Sequence, residues 1–162
     1  MKKAEGRVIL KQKGKVFSLN ISKKKGEPKK RVERVIFREN YGILGDVHAG
    51  GDEKRQVSLL SWERMNQENF CLKKSGIKLR PGIYAENITT EGIKLSELKI
   101  GSKLKVGKAI LEISQIGKEC HKYCEIYKKV GKCIMPKEGI FARVIKGGEV
   151  KVGDIIEILD EE

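Results

Sequence analysis

Short apolar runs separated by glycines constrain the fold of this chain more than any other feature of its sequence. The 162 residues include 18 glycines and 3 prolines, and the stretches between the glycines have alternating or β-branched apolar character. Runs of about four to eight such residues between turn signals are typical of β-strands. The sequence therefore predicts a mainly β protein, built from antiparallel hairpins with a few short helices.

Alternation within these runs predicts where the strands lie and which faces they bury. In residues 16–22, the pattern places Ser18 and Asn20 on one face of the strand, and on the opposite, buried face Phe17, Leu19 and Ile21. A helix is predicted to begin after Ser61, whose hydroxyl can cap the first turn. Further strands are predicted at 32–37, 57–60 and 83–88, with a turn at 89–92.

Two later segments repeat one pattern. Residues 106–113 and 152–158 each begin with a Val-Gly turn and continue as an apolar strand, and a further glycine precedes each. Repeated hairpins favour a closed or strongly coiled antiparallel sheet over a βαβ fold. Because no linker or low-complexity segment interrupts the chain, we expect residues 1–162 to form a single domain.

Targeting signals and membrane spans are missing from the sequence. No apolar run approaches the roughly 20 residues that a membrane helix needs, and the N-terminus does not resemble a signal peptide. The sequence therefore predicts a cytoplasmic protein without a membrane partner. In a reducing cytosol, its four cysteines are expected to be thiols, metal ligands or reactive groups rather than disulfides.

The net charge of +13 is concentrated near the N-terminus. Residues 1–40 hold 14 Lys and Arg against 4 Glu, and the excess centres on the basic runs 23–25 and 29–31. One interpretation is a solvated hairpin tip, and the other is a patch that attracts an anionic ligand or nucleic acid. No aromatic residue lies among these lysines, so a stacking platform for bases is not indicated there.

Cys120 is the strongest candidate for a reactive residue. A strand predicted to end at Ile116 is followed by Gly117, and Cys120 comes three residues later, flanked by Lys118 and His121. Nearby cations stabilise the thiolate, which attacks sulfur, holds a persulfide or binds a soft metal. An inert buried cysteine remains an alternative. Another is a zinc site from residues 120, 121, 124 and 133, although only one short cysteine pair is present.

Two other segments hold candidate binding residues. In 45–60, glycines allow close approach of backbone N–H groups to an anion, Arg55 can grip a phosphate, and Asp46 and His48 can orient a ligand or relay a proton. In 81–88, Glu86 and Asn87 are unusual inside a strand pattern. We expect this second pair to fix a loop by hydrogen bonds more readily than to catalyse.

The order of these motifs resembles the MOSC domain, the family named for the C-terminal part of molybdenum-cofactor sulfurases. The resemblance covers roughly residues 17–158 and includes Gly-Asp-Val-His at 45–48, Arg-Gln-Val-Ser-Leu-Leu at 55–60 and Pro-Gly-Ile-Tyr-Ala-Glu-Asn-Ile at 81–88. It continues through 106–115, Cys120, 139–144 and 152–154. It implies a β-barrel of the MOSC or pyruvate-kinase type, with its core at about 17–158.

The resemblance also implies a role for each candidate residue. Cys120 would handle sulfur catalytically or ligate the molybdenum of the pterin cofactor. The implied cofactor-binding residues are Asp46, His48, Arg55, Glu86, Asn87, Lys118, His121 and Arg143. Glu119 departs from the family pattern, because larger relatives have proline at that place. Pyridoxal phosphate is not expected in this chain, since the aminotransferase-like domain of larger relatives is not found in it.

Three functions remain open from the sequence. The first is a molybdenum-cofactor-binding or sulfur-carrier protein that works with cofactor biosynthesis proteins or molybdoenzymes. The second is a small molybdenum-dependent reductase of N-hydroxylated compounds, supplied by a separate electron donor. The third is a nucleic-acid or anion-binding barrel that uses the basic N-terminal region. Exposed hairpin edges would also allow a homodimer.

Overall fold

Seven strands close into a barrel in the computed structural model of this chain, which describes residues 13–117 and 134–159. The helices present in these residues are short. In chain order the elements are β1 (Lys13–Ile21), β2 (Lys30–Val32), β3 (Arg34–Arg38), β4 (Gly42–Ile43), β5 (Val57–Ser61), α1 (Trp62–Asn66), α2 (Asn69–Lys74), β6 (Ile88–Glu91), a 3-10 turn (Leu95–Glu97), β7 (Lys103–Val106), β8 (Ala109–Ile116), α3 (Met135–Glu138), β9 (Ile140–Lys146), β10 (Gly148–Lys151) and β11 (Ile155–Leu159).

Hydrogen bonding between the first and last strands closes the barrel. Around its wall the order is β11–β7–β8–β9–β5–β6–β1, and β11 pairs back onto β1 with Ile155 opposite Lys15. Neighbouring strands are antiparallel except β5 and β6, which are parallel. A mainly β, closed fold is thus confirmed. Among the described residues, no helix has the length and apolar character needed to cross a bilayer.

The main core fills the barrel, and a small second sheet adds to it. This sheet has the order β10–β3–β4, and its Val35, Phe37 and Ile43 join the same apolar cluster as the inward-facing Leu59 and Leu111 of the barrel. All five side chains are at most 6% exposed. Burial of side chains of this size contributes roughly 1.5–3 kcal/mol each.

A second apolar cluster lies on the outer face of β5 and β9. Leu60 and Phe141 pack there with Met65 of α1, Tyr84 of the 81–87 loop and Met135 of α3. Strand β5 is therefore buried on both faces, which explains its nearly continuous apolar sequence. The predicted strand at 57–60 is confirmed.

Elements determined by short-range signals form as predicted. Ser61 caps α1 by accepting a hydrogen bond at its Oγ from the Arg64 N–H at 2.9 Å. Gly107 lies in the two-residue turn between β7 and β8 with a φ of 55°, a conformation that favours glycine. Only this first Val-Gly segment forms a hairpin, because the strand after Gly153 pairs with β1 and β7 rather than with β10.

The predicted core face of β1 is confirmed for Leu19 and wrong for Phe17, because the register of the strand shifts. A bulge between Val16 and Ser18 breaks the two-residue periodicity. Leu19 consequently enters the barrel core, whereas Phe17 stacks on Trp62 of α1, with ring centroids 4.9 Å apart. Ser18 and Asn20 are fully buried, and the Ser18 hydroxyl donates to Asn20 Oδ1 at 2.8 Å.

Three other boundaries also differ from the sequence predictions. Residues 32–37 are divided at Glu33 between β2 of the barrel sheet and β3 of the small sheet. The predicted helix is interrupted after Asn66 and resumes at Asn69. The predicted strand 83–88 is a loop as far as Asn87, and strand β6 instead runs from Ile88 through residues predicted as a turn. Positive φ values at Gly82 and Ala85 bend this loop.

Candidate functional site

Lys29 contacts the candidate segment 45–60 through its buried side chain. Its side chain is fully buried, and its ammonium group lies 2.7 Å from Asp46 Oδ1, 3.1 Å from Ser22 Oγ and 3.1 Å from His48 Nδ1. A lysine ammonium has three N–H donors, so these contacts match its full capacity. We call Lys29, Ser22, Asp46 and His48 the Lys29 cluster.

His48 lies on the more exposed side of the Lys29 cluster. An ammonium group donates hydrogen bonds but cannot accept them, so His48 Nδ1 accepts in its contact with Lys29. The His48 side chain is 34% exposed, in contrast to the buried Lys29 and Asp46. The cluster thus presents an imidazole near the surface.

Asp46 holds the backbone of its own loop in addition to Lys29. Its Oδ1 accepts from the Ser22 N–H at 3.1 Å, and its Oδ2 accepts from the His48 N–H at 3.2 Å. The side chain is only 1% exposed. Loss of one partner from such a buried pair is costly, because the remaining charge has no compensation in a medium of low polarity.

The glycine-containing loop uses its backbone donors internally. The N–H groups of residues 47–51 donate, in order, to Ser22 O, Asp46 Oδ2, Asp46 O, Tyr41 O and His48 O. Five consecutive donors therefore have partners within the protein. Anion binding by this loop would depend on its side chains rather than on a nest of backbone N–H groups.

The 81–87 loop meets the Lys29 cluster through backbone contacts. Lys29 N–H donates to Gly82 O at 2.8 Å, and Arg80 Nη1 donates to Lys29 O at 2.9 Å. Gly82 has a φ of 89°, and a Cβ there would collide with Lys29 O. The two segments that were separate in the sequence analysis are therefore packed side by side.

Glu86 fixes the shape of this loop from inside. Its carboxylate accepts from the Gly82 N–H at 2.7 Å, the Tyr84 N–H at 3.2 Å and the Thr89 hydroxyl at 2.7 Å. The residue is fully buried, and loss of solvation raises the pKa of its carboxyl group despite these hydrogen bonds. No cation is among its hydrogen-bond partners in the described part of the chain.

Asn87 replaces a backbone partner between two strands. Its Oδ1 accepts from the Ser58 N–H at 3.0 Å, and its Nδ2 donates to Asn20 O at 3.1 Å. Asn20 Nδ2 in turn donates to Glu86 O at 3.0 Å. The contacts of Glu86 and Asn87 are thus with the protein itself, as expected for residues that fix a loop.

Arg55 lies in the loop before strand β5, and Arg143 lies on strand β9 beside Glu112 of β8. Arg55 donates to Asp52 Oδ2 from Nε and Nη2 at 3.2 and 3.1 Å. Arg143 Nε lies 3.3 Å from Glu112 Oε1, an ion pair without hydrogen-bond geometry, and this buried Nε has no hydrogen bond in the described residues. Both guanidinium side chains are more than one third exposed.

The remaining predicted site residues lie outside the described residues. These are Cys120, Lys118 and His121, together with Cys124 and Cys133 of the zinc alternative. The last described residue before these positions is Gly117. Its N–H donates to the O atom of Gly139, the residue just before β9, at 2.7 Å. Within residues 13–117 and 134–159, no group of three or more His, Cys, Asp or Glu side chains is placed to hold a metal ion.

Lys29 was not recognisable from the sequence as a site residue. It was grouped with the exposed basic runs of the β1–β2 hairpin, and its neighbour Lys30 is indeed exposed. No local signal distinguishes Lys29, because its partner Asp46 is 17 residues away. Ser22 and Asn20 were missed for the same reason, since their partners Asp46 and Glu86 are also distant in the sequence.

Comparisons with known proteins agree on the family and the fold. A family model described as the MOSC domain matches residues 45–157. The YuaD protein from Bacillus subtilis is similar in structure, with 23% identity, a TM-score of 0.72 and coverage of 94% of this chain and 98% of that one. YiiM from Geobacillus stearothermophilus has 19% identity and a TM-score of 0.69, covering 91% of this chain and 75% of its own. No curated protein matches the sequence.

YiiM from Escherichia coli shows the same relationship. It has 18% identity and a TM-score of 0.67, with coverage of 92% of this chain and 71% of that one. At identities below one quarter, these solved structures support the barrel fold alone. The family assignment comes from the sequence match, which covers more than half of the chain.

Proposed function

Because the chain belongs to the MOSC domain family, which is associated with molybdenum-cofactor-related function, we propose that it binds this cofactor or relays sulfur for it through Cys120. The family match carries the proposal, and the Lys29 cluster supports it. The partners that we propose are cofactor biosynthesis proteins or molybdoenzymes. They would supply the sulfur or receive the finished cofactor.

The donor side chains of the described residues suit the cofactor's chemistry. The pterin part of the cofactor carries an anionic phosphate, which guanidinium groups bind in charge-assisted hydrogen bonds. Arg55 and Arg143 are both partly exposed. The N–H of the buried Arg143 Nε has no acceptor among the described residues. His48 adds a partly exposed imidazole that Lys29 orients. When bound, the cofactor supplies a redox-active metal.

Cys120 is proposed to perform the sulfur step. Its thiolate attacks the terminal sulfur of a donor persulfide, a new S–S bond forms on Cys120, and the donor leaves as a thiolate. Lys118 and His121 are its sequence neighbours, and positive charge close to a thiol favours the thiolate. Glu119 opposes this effect in part.

Mass spectrometry of freshly purified protein tests the proposal. We expect a mass gain of one sulfur atom on Cys120 that reductant removes, or co-purified pterin detected by fluorescence after oxidation. A Cys120→Ser variant is expected to lose the sulfur. Arg55→Ala is expected to reduce pterin retention, whereas Arg34→Ala, which removes an equal charge from the exposed strand β3, is expected to leave it unchanged.

Two results would overturn the proposal. One is a Cys120→Ser protein that relays sulfur and retains pterin with full affinity. The other is protein from cofactor-producing cells that carries neither sulfur nor pterin. Turnover of N-hydroxylated substrates with an added electron donor would instead select the reductase. Salt-sensitive RNA binding that depends on Lys23, Lys24 and Lys25 would select the nucleic-acid hypothesis.

A further inference from the structure

A groove with aromatic and basic walls lies beside helices α1 and α2. It has a volume of about 520 Å³, within the range of about 300–1,000 Å³ that small-molecule sites occupy. It is lined by Trp62, Asn66, Asn69, Lys73, Gly76, Ile77, Lys78 and Leu79. The outer apolar cluster packs against the groove from behind, through Trp62, Ile77 and Leu79.

The wall of the groove runs along the two helices. Trp62 and Asn66 of α1, and Asn69 and Lys73 of α2, are each four residues apart, which places each pair on one face of its own helix. All four line the groove. Phe17 stacks against the Trp62 indole at an interplanar angle of 20° and holds it in place. The aromatic wall is therefore fixed before any ligand arrives.

The polar groups of the groove are available to a ligand. Among the contacts of the described residues, the side chains of Asn66, Asn69, Lys73 and Lys78 have no hydrogen bond or ion pair. From residue 69 to residue 85 the sequence has four basic side chains and no acidic one. The groove is thus positively charged and offers both amide and ammonium groups.

We propose that this groove binds a nucleotide. An indole stacks on the flat face of any base, with roughly 1–3 kcal/mol per base in single-strand binding proteins. Carboxamides such as those of Asn66 and Asn69 pair with the donor and acceptor edges of bases. Lys73 and Lys78 supply the cations that a phosphate requires. A ligand with one planar heterocycle and one phosphate uses all three features.

The single tryptophan provides a direct measurement of binding. Trp62 is the only tryptophan in the chain, so its fluorescence, corrected for nucleotide absorbance, reports on the groove alone. We expect saturable quenching by a nucleoside monophosphate, with weaker effects of the nucleoside or inorganic phosphate alone. Lys73→Ala/Lys78→Ala is expected to weaken binding at least about tenfold at low salt.

Control variants separate this site from the proposed cofactor site. Lys103→Ala/Lys105→Ala removes two exposed charges from β7 and is expected to leave nucleotide binding unchanged. Cys120→Ser is also expected to bind nucleotide normally. The proposal for the groove and the proposal for Cys120 can therefore be disproved independently. A short single-stranded RNA tests whether the groove binds nucleotides within a strand rather than free mononucleotides. Phe70 follows Asn69 and is 71% exposed, so it can stack on a second base. Replacement of Phe70 should therefore weaken binding of the RNA but not of a mononucleotide.

Three outcomes would overturn the nucleotide site. The first is no saturable quenching by monophosphates or RNA up to millimolar concentration. The second is wild-type affinity in Lys73→Ala/Lys78→Ala. The third is quenching by an acidic peptide but not by nucleotides, which would make the groove a docking surface for protein.

Discussion

Asp46 and Glu86 are both buried carboxylates, yet the protein stabilises them in different ways. Asp46 has a buried cation, Lys29, at 2.7 Å. Among the described residues, the donors to Glu86 are all neutral, namely the N–H groups of Gly82 and Tyr84 and the hydroxyl of Thr89. The two networks adjoin, because Lys29 and Gly82 are hydrogen-bonded through their backbones.

The contrast shows how partner type determines what a buried acid does. A full opposite charge keeps Asp46 in a fixed ion pair that also orients His48. Dipoles alone do not repay the lost solvation of Glu86, so its pKa is raised. We therefore expect the Lys29 cluster to dominate stability and Glu86 to introduce pH dependence.

The largest expected effect is that of Lys29→Met. Removal of the ammonium leaves Asp46 charged and buried, and breaking such a pair costs about 3–5 kcal/mol. Chemical denaturation near neutral pH measures the free energy of unfolding. The double variant Lys29→Met/Asp46→Asn is the control, and we expect it to recover much of the loss because no unpaired charge remains. A loss below about 1 kcal/mol in the single variant would contradict the comparison.

Glu86→Gln should change how stability depends on pH. Since the folded-state pKa lies above the ordinary value of 4.5, the folded protein binds more protons between these two values. The stabilising contribution of Glu86 is thus complete below the ordinary value and is lost as pH rises through the raised pKa. A glutamine at this position does not titrate, so the variant lacks this dependence.

The cost of Glu86→Gln follows from that sign. It should be largest at acid pH, about 1–3 kcal/mol, because the amide nitrogen cannot accept one of the three hydrogen bonds. It should decrease as pH rises. The measurement is the unfolding free energy of the wild type and of Glu86→Gln across the acid pH range. A difference between the two proteins that does not change with pH would show that Glu86 does not cause the pH dependence of stability.

The smaller expected effects come from ion pairs that are at least partly exposed. Arg64 binds Glu138 through Nε and Nη2 at 2.8 and 2.7 Å, and its Nη1 donates to the buried Glu68 at 2.7 Å. Arg64→Met is expected to cost about 1–3 kcal/mol, because solvent screens the pair with Glu138 but the buried Glu68 carboxylate loses this cation. Arg34→Met, at the more exposed pair with Glu149, has the smallest expected cost, about 0.5 kcal/mol or less. Equal losses at Arg34 and Lys29 would show that burial does not set the difference.

Elements that depend on neighbouring residues were predictable from the sequence. The cap at Ser61 and the turn at Gly107 form as expected, because the atoms involved lie within a few residues of one another. The order of motifs likewise pointed to the family and its barrel. Glu86 was correctly expected to fix a loop, although that loop was predicted as a strand.

Only the tertiary structure decided which polar side chains are buried and what they contact. The sequence by itself determined a glycine-punctuated β fold and a family, because strand pattern and turn chemistry are local. It did not distinguish Lys29 from Lys30, nor place Phe17 outside the barrel. Those outcomes depend on a bulge in β1 and on partners such as Asp46 and Trp62, which are distant in the sequence. Burial is a property of the assembled barrel, so no local pattern specifies it.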